Sequence, residues 1–224
     1  MSDHARAIQA HLQHVASFRA ARQADARLAC RVAAIKQYQH ERFSGDYADL
    51  AASARYGAAT HFFLSDLYGP VDFGDRDAQF ERVVPAMARL LPAEVIQTVA
   101  RLAELHALSE ELDHRMALSL TSDGVDERSY RAAWQAVGLA PDRQRQLSLL
   151  LSIGASLDRH TRTPLLAATL KLMRGPAKAA GLAQLQSFLE HGLAAFASMH
   201  GAQAFLDRIA RNEQRVITEM FSVP

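Results

Sequence analysis

Several acidic side chains in this sequence share helical faces with apolar residues, where an ionised carboxylate is costly unless it is paired or hydrogen-bonded. Glu213 sits among Leu206, Ile209, Val216 and Met220, and Asp158 lies close in angle to Leu147 and Leu151. Asp66 falls between Phe62 and Phe63, with Arg55 and Arg76 as its nearest basic candidates. His106 and Asp113 are seven positions apart, with Glu110 between them. They border an apolar arc of Leu102, Leu105, Leu108, Leu112 and Met116, where a half-buried His–carboxylate pair can form. A single buried acid is ordinarily a structural ion pair, whereas several converging on one cavity make a site. His106, Asp113, Asp158 and Glu213 are therefore candidate ligand-binding residues, as is Asp66.

Other signals are weaker. Glu111 and His114 have the Glu-x-x-His spacing of di-metal carboxylate bundles, but those need a second such pair and two further glutamates. At about 100° per residue, Glu104, Glu111 and His114 also fall opposite the apolar arc, so we expect a solvated face and no metal. His61 and His191 point away from the apolar faces of their helices, so no haem is expected, and no other cofactor is indicated. No nucleophile elbow, Walker loop, dinucleotide fingerprint or zinc cysteine pattern is present.

Aromatic residues crowd the segment from His61 to Asp77, which contains Phe62, Phe63, Tyr68 and Phe73 around Asp66. Asp66 can clamp the Tyr68-Gly69-Pro70 corner and hold Phe73. The same aromatics can dock a partner helix or a small apolar ligand. Phe62, Phe63 and Tyr68 join Asp66 as ligand-binding candidates. The string FFLSDLYGPVDFGDRD, followed by RVVPAMARLLP and FASMHGAQAFLDRIARNE, resembles an uncharacterised family of bacterial all-helical proteins, a domain of unknown function, over about residues 47–221. That resemblance implies a helical fold and carries no activity, cofactor or site residue.

The elements that must position these residues are helices throughout, because Ala, Leu, Arg, Gln and Glu dominate and period-2 alternation is missing. One long first helix is expected over about residues 5–42, ending at Gly45, then a short helix near 47–52. Ser53 can cap a helix over 54–68, and Asp75 one over 76–91 with a kink or break at Pro85. A long helix follows from Pro92 to about Leu120. Asp126 can cap a short helix stopped by Gly138. Pro141 opens the next, to about His160, whose leucines cover most of its circumference and mark it as the central buried helix. The remaining three run over about 163–175, 181–199 and 202–221. The expectation is an all-α, single-domain multi-helix bundle of eight to nine helices spanning residues 1–224.

The composition is that of an ordinary globular chain: 224 residues, 49% hydrophobic, 22% charged and a formal net charge of +1. Arginine is interleaved with acids along the whole length, so no nucleic acid is expected as partner. The single cysteine, Cys30, cannot form an internal disulfide and reads as a small packed side chain. The longest apolar run, Leu147–Leu157, is too short for a membrane span, and the first residues do not form a leader. We expect a cytoplasmic, non-enzymatic binding or protein-interaction protein, with homodimerisation through the first helix a further option. A cofactor- or metal-dependent enzyme with its site between helices is the alternative.

Overall fold

A computed structural model describes residues 3–67, 69, 74–90 and 92–222 of the chain. Among them are eleven α-helices, one π-helical turn and no strand. The helices are α1 (Asp3–Ala24), α2 (Ala26–Asp46), α3 (Ala48–Ala51), α4 (Gly57–Phe62), α5 (Gly74–Leu90), α6 (Ala93–Ser119), α7 (Glu127–Val137), α8 (Ala140–Thr161), α9 (Pro164–Ala179), α10 (Ala183–Ser198) and α11 (Gln203–Phe221). The π-helical turn, Phe63–Leu67, continues α4. No helix in the described residues is long and apolar enough to cross a membrane.

The fold is all-α as expected, with more helices than eight to nine. The expected first helix is two, because Asp25 leaves helical geometry at φ −135° and ψ 101°. Its carboxylate accepts from the backbone N–H groups of Arg27 and Leu28, capping α2. At the other end α2 runs past Gly45 to Asp46. Of the kink or break expected at Pro85 the break does not occur, and the stop expected at Gly175 does not operate. α5 passes through Pro85, and α9 passes through Gly175 and Pro176. All three residues face water, so a carbonyl deprived of its amide partner can be hydrated. Asp126 does cap α7, in a reciprocal capping box with Ser129.

The central helix is α6, not α8. It carries eleven buried residues and packs against α1, α2, α5, α7 and α8. The stripe Ala5, Ile8 and Leu12 of α1 meets Val84 of α5 and Ile96, Val99 and Ala103 of α6. That face of the first helix is therefore occupied within the chain. Leu28, Val32 and Ile35 of α2 pack with Met116, Tyr130, Trp134 and Ile217. Cys30, on the same helix, is exposed instead of packed, because the stripe turns its other side inward.

A third cluster gathers the aromatics Phe43, Tyr47, Phe62, Phe63, Phe196 and Phe205 around α4, α10 and α11. There the ring of Phe62 lies directly on Gly192 of α10. A Cβ at position 192 would stand 2.8 Å from Phe62 Cζ. Gly192→Leu should therefore lower stability by about 1–3 kcal/mol through overpacking. A denaturant midpoint at the wild-type value would show that the ring moves aside freely.

Candidate functional site

One face of α6 lines a cavity of about 90 Å³, bordered in turn by Val99, Leu102, Leu105, His106, Ser109, Glu110 and Asp113. Facing walls come from Lys36 and Gln39 of α2, Arg76, Asp77 and Phe80 of α5, Gln146 of α8, and Phe188 and Leu189 of α10. The cavity is graded along the helix. Its Val99–Leu102 end is apolar, and its Glu110–Asp113 end is ringed by charged and amide side chains. Leu102 and Asp113 are about 16 Å apart at 1.5 Å per residue. A second cavity of about 130 Å³ shares the walls Leu67, Val99, Leu102, Phe188 and Leu189. It is otherwise lined almost wholly by apolar residues, among them Phe62, Ile153, Leu157, Leu166 and Leu170.

Three carboxylates sit buried at the polar end and middle. Asp77 accepts from Arg19 Nη2 at 2.9 Å, and His106 Nε2 lies 2.9 Å from its Oδ2. Burial alone would raise this carboxyl. The hydrogen bonds and charges of His106 and Arg19, with Arg76 nearby, more than offset that and leave it below its ordinary value. Glu110 behaves alike. Burial pushes it up, and the cations Lys36 and Arg22 bring it below the ordinary value. Lys36 donates to Glu110 Oε1. Arg22 Nη1 stands 2.8 Å from Oε2 as a charge pair, out of line for a hydrogen bond.

Asp113 differs. It is 5% exposed, its Oδ1 accepts from Gln39 Nε2 at 2.8 Å, and its Oδ2 accepts no hydrogen bond among the described residues. Burial raises its pKa, and the nearby Glu110 charge adds to that, against the opposing pull of Lys36, Gln39 and Arg143.

Of the residues singled out in the sequence, the structure brings His106 and Asp113 to one cavity, though not to each other, since His106 pairs with Asp77 of α5. Phe62 lines the adjoining apolar cavity. Phe63 is buried in the aromatic cluster, its ring edge-on to Phe43 at 5.5 Å between centroids. Tyr68 lies outside the described residues, as does Phe73. Asp66 is half-buried in the π-helical turn, and its backbone carbonyl, not its side chain, takes the hydrogen bond from Arg76 Nη1 at 2.6 Å.

Asp158 and Glu213 stand apart from this cavity. Asp158 Oδ1 accepts from the backbone N–H of Ala202 at 3.0 Å, and its Oδ2 pairs with Arg162 at 2.8 Å, which fixes the turn into α11. Glu213 pairs with Arg42 through both guanidinium nitrogens, at 2.8 and 3.2 Å, and accepts from the Tyr47 hydroxyl. The Arg42 guanidinium and the Tyr47 phenol are both held above their ordinary values. Burial opposes the shift at Arg42 and drives it at Tyr47, while Glu213 raises both.

Glu111 accepts from Arg115, four residues on, and the His114 ring packs on Phe18. No group of three or more His, Cys, Asp or Glu among the described residues is placed to hold a metal ion. Sequence reasoning missed Lys36, Gln39, Asp77 and Glu110. Glu110 carried a readable signal, since it lies one turn from both His106 and Asp113 on the same helical face.

The arrangement defines a helical protein with a partly open cavity along its central helix, lined by apolar and charged residues. By sequence, the chain belongs to the family described as a domain of unknown function, DUF8198, whose model matches residues 18–223. No curated protein and no solved structure matches it.

Two tests follow from the geometry. Glu213→Ala should destabilise by about 1–3 kcal/mol, because it leaves Arg42 with Asp46 as its remaining carboxylate and removes the acceptor of the Tyr47 hydroxyl, and adding Arg42→Met should recover part of that. A near-neutral single variant in chemical denaturation would show that water reaches the pair.

The second uses pH. A carboxyl whose pKa is raised by folding contributes stability in full below its unfolded value and loses it as pH climbs through the folded value. The stability difference between wild type and Asp113→Asn should therefore shrink as pH rises above about 4, by up to about 1.4 kcal/mol per unit. A difference constant with pH would mean that Asp113 titrates as it does in the unfolded chain.

Proposed function

We propose that this chain is a cytoplasmic, single-domain binding protein that encloses a small amphipathic molecule between its helices. The observation carrying this reading is the graded cavity along α6, open on one side to the apolar chamber walls and on the other to Lys36, Gln39 and Asp113. Ligand sites are concave, mainly apolar, and carry a few convergent polar groups that fix orientation. An engineered apolar cavity of ~150 Å³ takes up benzene, and the chamber of about 130 Å³ is of that scale. In the cavity along α6 the polar groups lie at its middle and at the Asp113 end, which suits a ligand with one apolar and one hydrogen-bonding end.

A second reading, an enzyme acting on the enclosed molecule, draws on His106. Its ring borders the cavity while Asp77 orients it, the arrangement of a general base with its supporting carboxylate. Chemical change of a bound ligand that stops in His106→Gln would favour it.

The binding reading is tested with the neutral fluorophore N-phenylnaphthylamine. One molecule per chain should bind with enhanced, blue-shifted emission. Leu102→Trp, which fills the wall shared by both cavities, should weaken binding at least tenfold while circular dichroism stays helical. Undiminished binding in Leu102→Trp would place the fluorophore elsewhere and sink the reading.

A further inference from the structure

The polar end of the α6 cavity has a distinctive accounting of charge. Glu110 is one carboxylate shared by two cations, Lys36 and Arg22. Asp113, one turn further along α6, is held on one oxygen only, by the Gln39 amide. That amide also reaches the Tyr130 hydroxyl of α7 at 3.3 Å, so both its N–H groups are committed. The groups that act on Asp113 are Lys36 and Gln39 from α2, Tyr130 from α7, Arg143 from α8 and Glu110 on its own helix, while Gln146 and His106 line the same cavity. Arg22 of α1 lies behind Glu110.

Asp113 lines the cavity, and its second oxygen takes no hydrogen bond from the described residues, so a ligand can bond it in place of water. An amine could satisfy an ionised Asp113, but it would add a third cation beside Lys36 and Arg22. An acid fits better. With Asp113 protonated, its O–H donates to a ligand oxygen, and the cation left over from the shared Glu110 faces a ligand anion.

Resting on the binding reading above, we infer that this end of the cavity is a carboxylate-recognition site, in which Asp113 and the carboxylate of a fatty-acid-like ligand share one proton beside Lys36. The ligand's apolar part then lies along the α6 face toward Leu105 and Leu102, which line the same cavity. The proton balance is explicit. Below the pH at which Asp113 ionises in the free protein, it brings the proton already. Above that pH, binding one ligand anion takes one proton from solvent, and affinity falls tenfold per pH unit. Burial, which holds the Asp113 carboxyl above its ordinary value, places this crossover above the usual carboxylate range.

The experiment uses the full chain and three probes of equal chain length: dodecanoate, dodecanol and dodecylamine. Isothermal titration is run from about pH 5 to about pH 9 in buffers of differing ionisation enthalpy, which reports protons taken up on binding. The expected result is dodecanoate bound at least tenfold tighter than either analogue at the acid end, with uptake rising toward one proton per ligand at the alkaline end. Asp113→Asn, which always donates and never titrates, should bind dodecanoate with a pH-independent affinity and no proton uptake. A cooperative thermal melt of this variant checks that it is folded.

Tighter binding of the amine, equal binding of acid and alcohol, or wild-type binding of dodecanoate with no proton uptake at any pH overturns the inference and leaves the cavity reading standing. If none of the three probes binds and N-phenylnaphthylamine also ignores Leu102→Trp, both fail together. The wild-type proton count decides the matter even if Asp113→Asn does not fold.

Discussion

Glu110 faces inward from the central helix, where a lone carboxylate would be untenable, and the two cations that reach it come from either side of the break at Asp25. Arg22 belongs to α1 and Lys36 to α2, fourteen positions apart. On one straight helix they would be separated by about 21 Å and could not meet one carboxylate. They meet because Asp25 ends one helix and caps the next. Both segments can then lie against α6, with their apolar stripes buried and their cations turned to its acidic face. The neighbouring contacts Arg19–Asp77 and Gln39–Asp113 draw on the same bend, one from each arm. The cavity lies between those two sets of contacts.

This explains which parts of the molecule were legible from the residues alone. Helix identity is a local property, and the cap at Asp126 could be read directly, whereas Asp75, expected as a cap, lies in the first turn of α5. The bend at Asp25 could not. The periodicity of α1 and α2 continues across it, and an aspartate between alanines is a cap only if the chain gains by turning there. That gain comes from Glu110, more than seventy residues away. Pro85 and Gly175 misled in the opposite sense, because each stands on the exposed side of a helix whose other face is packed, and that packing overrides the local signal.

The candidate site divides along the same line. His106 and Asp113 were recognisable from their place at the edge of an apolar arc. Their partners were not, because Asp77 and Gln39 sit on helices whose orientation is set by packing. Asp158 and Glu213 carried the same signal of an acid among apolar residues, yet each is consumed by a structural duty outside the cavity. Burial was legible in the sequence, and the difference between a satisfied acid and an unsatisfied one was not. Asp66 shows a further ambiguity. Arg76 does come to it, as the sequence suggested, but bonds its backbone carbonyl, which any residue at that position would supply.

The pair between Arg42 and Glu213 has a consequence for how the chain is made. Its members are 171 positions apart, on α2 and α11. At translation speeds of about 5–20 residues per second, Arg42 is synthesised roughly ten to thirty seconds before its partner. Throughout that interval the guanidinium has Asp46, four residues on, as its carboxylate partner, and the aromatic layer of Phe43, Tyr47 and Phe63 lacks the α11 side chains that complete it. Closure of that layer waits for the last helix.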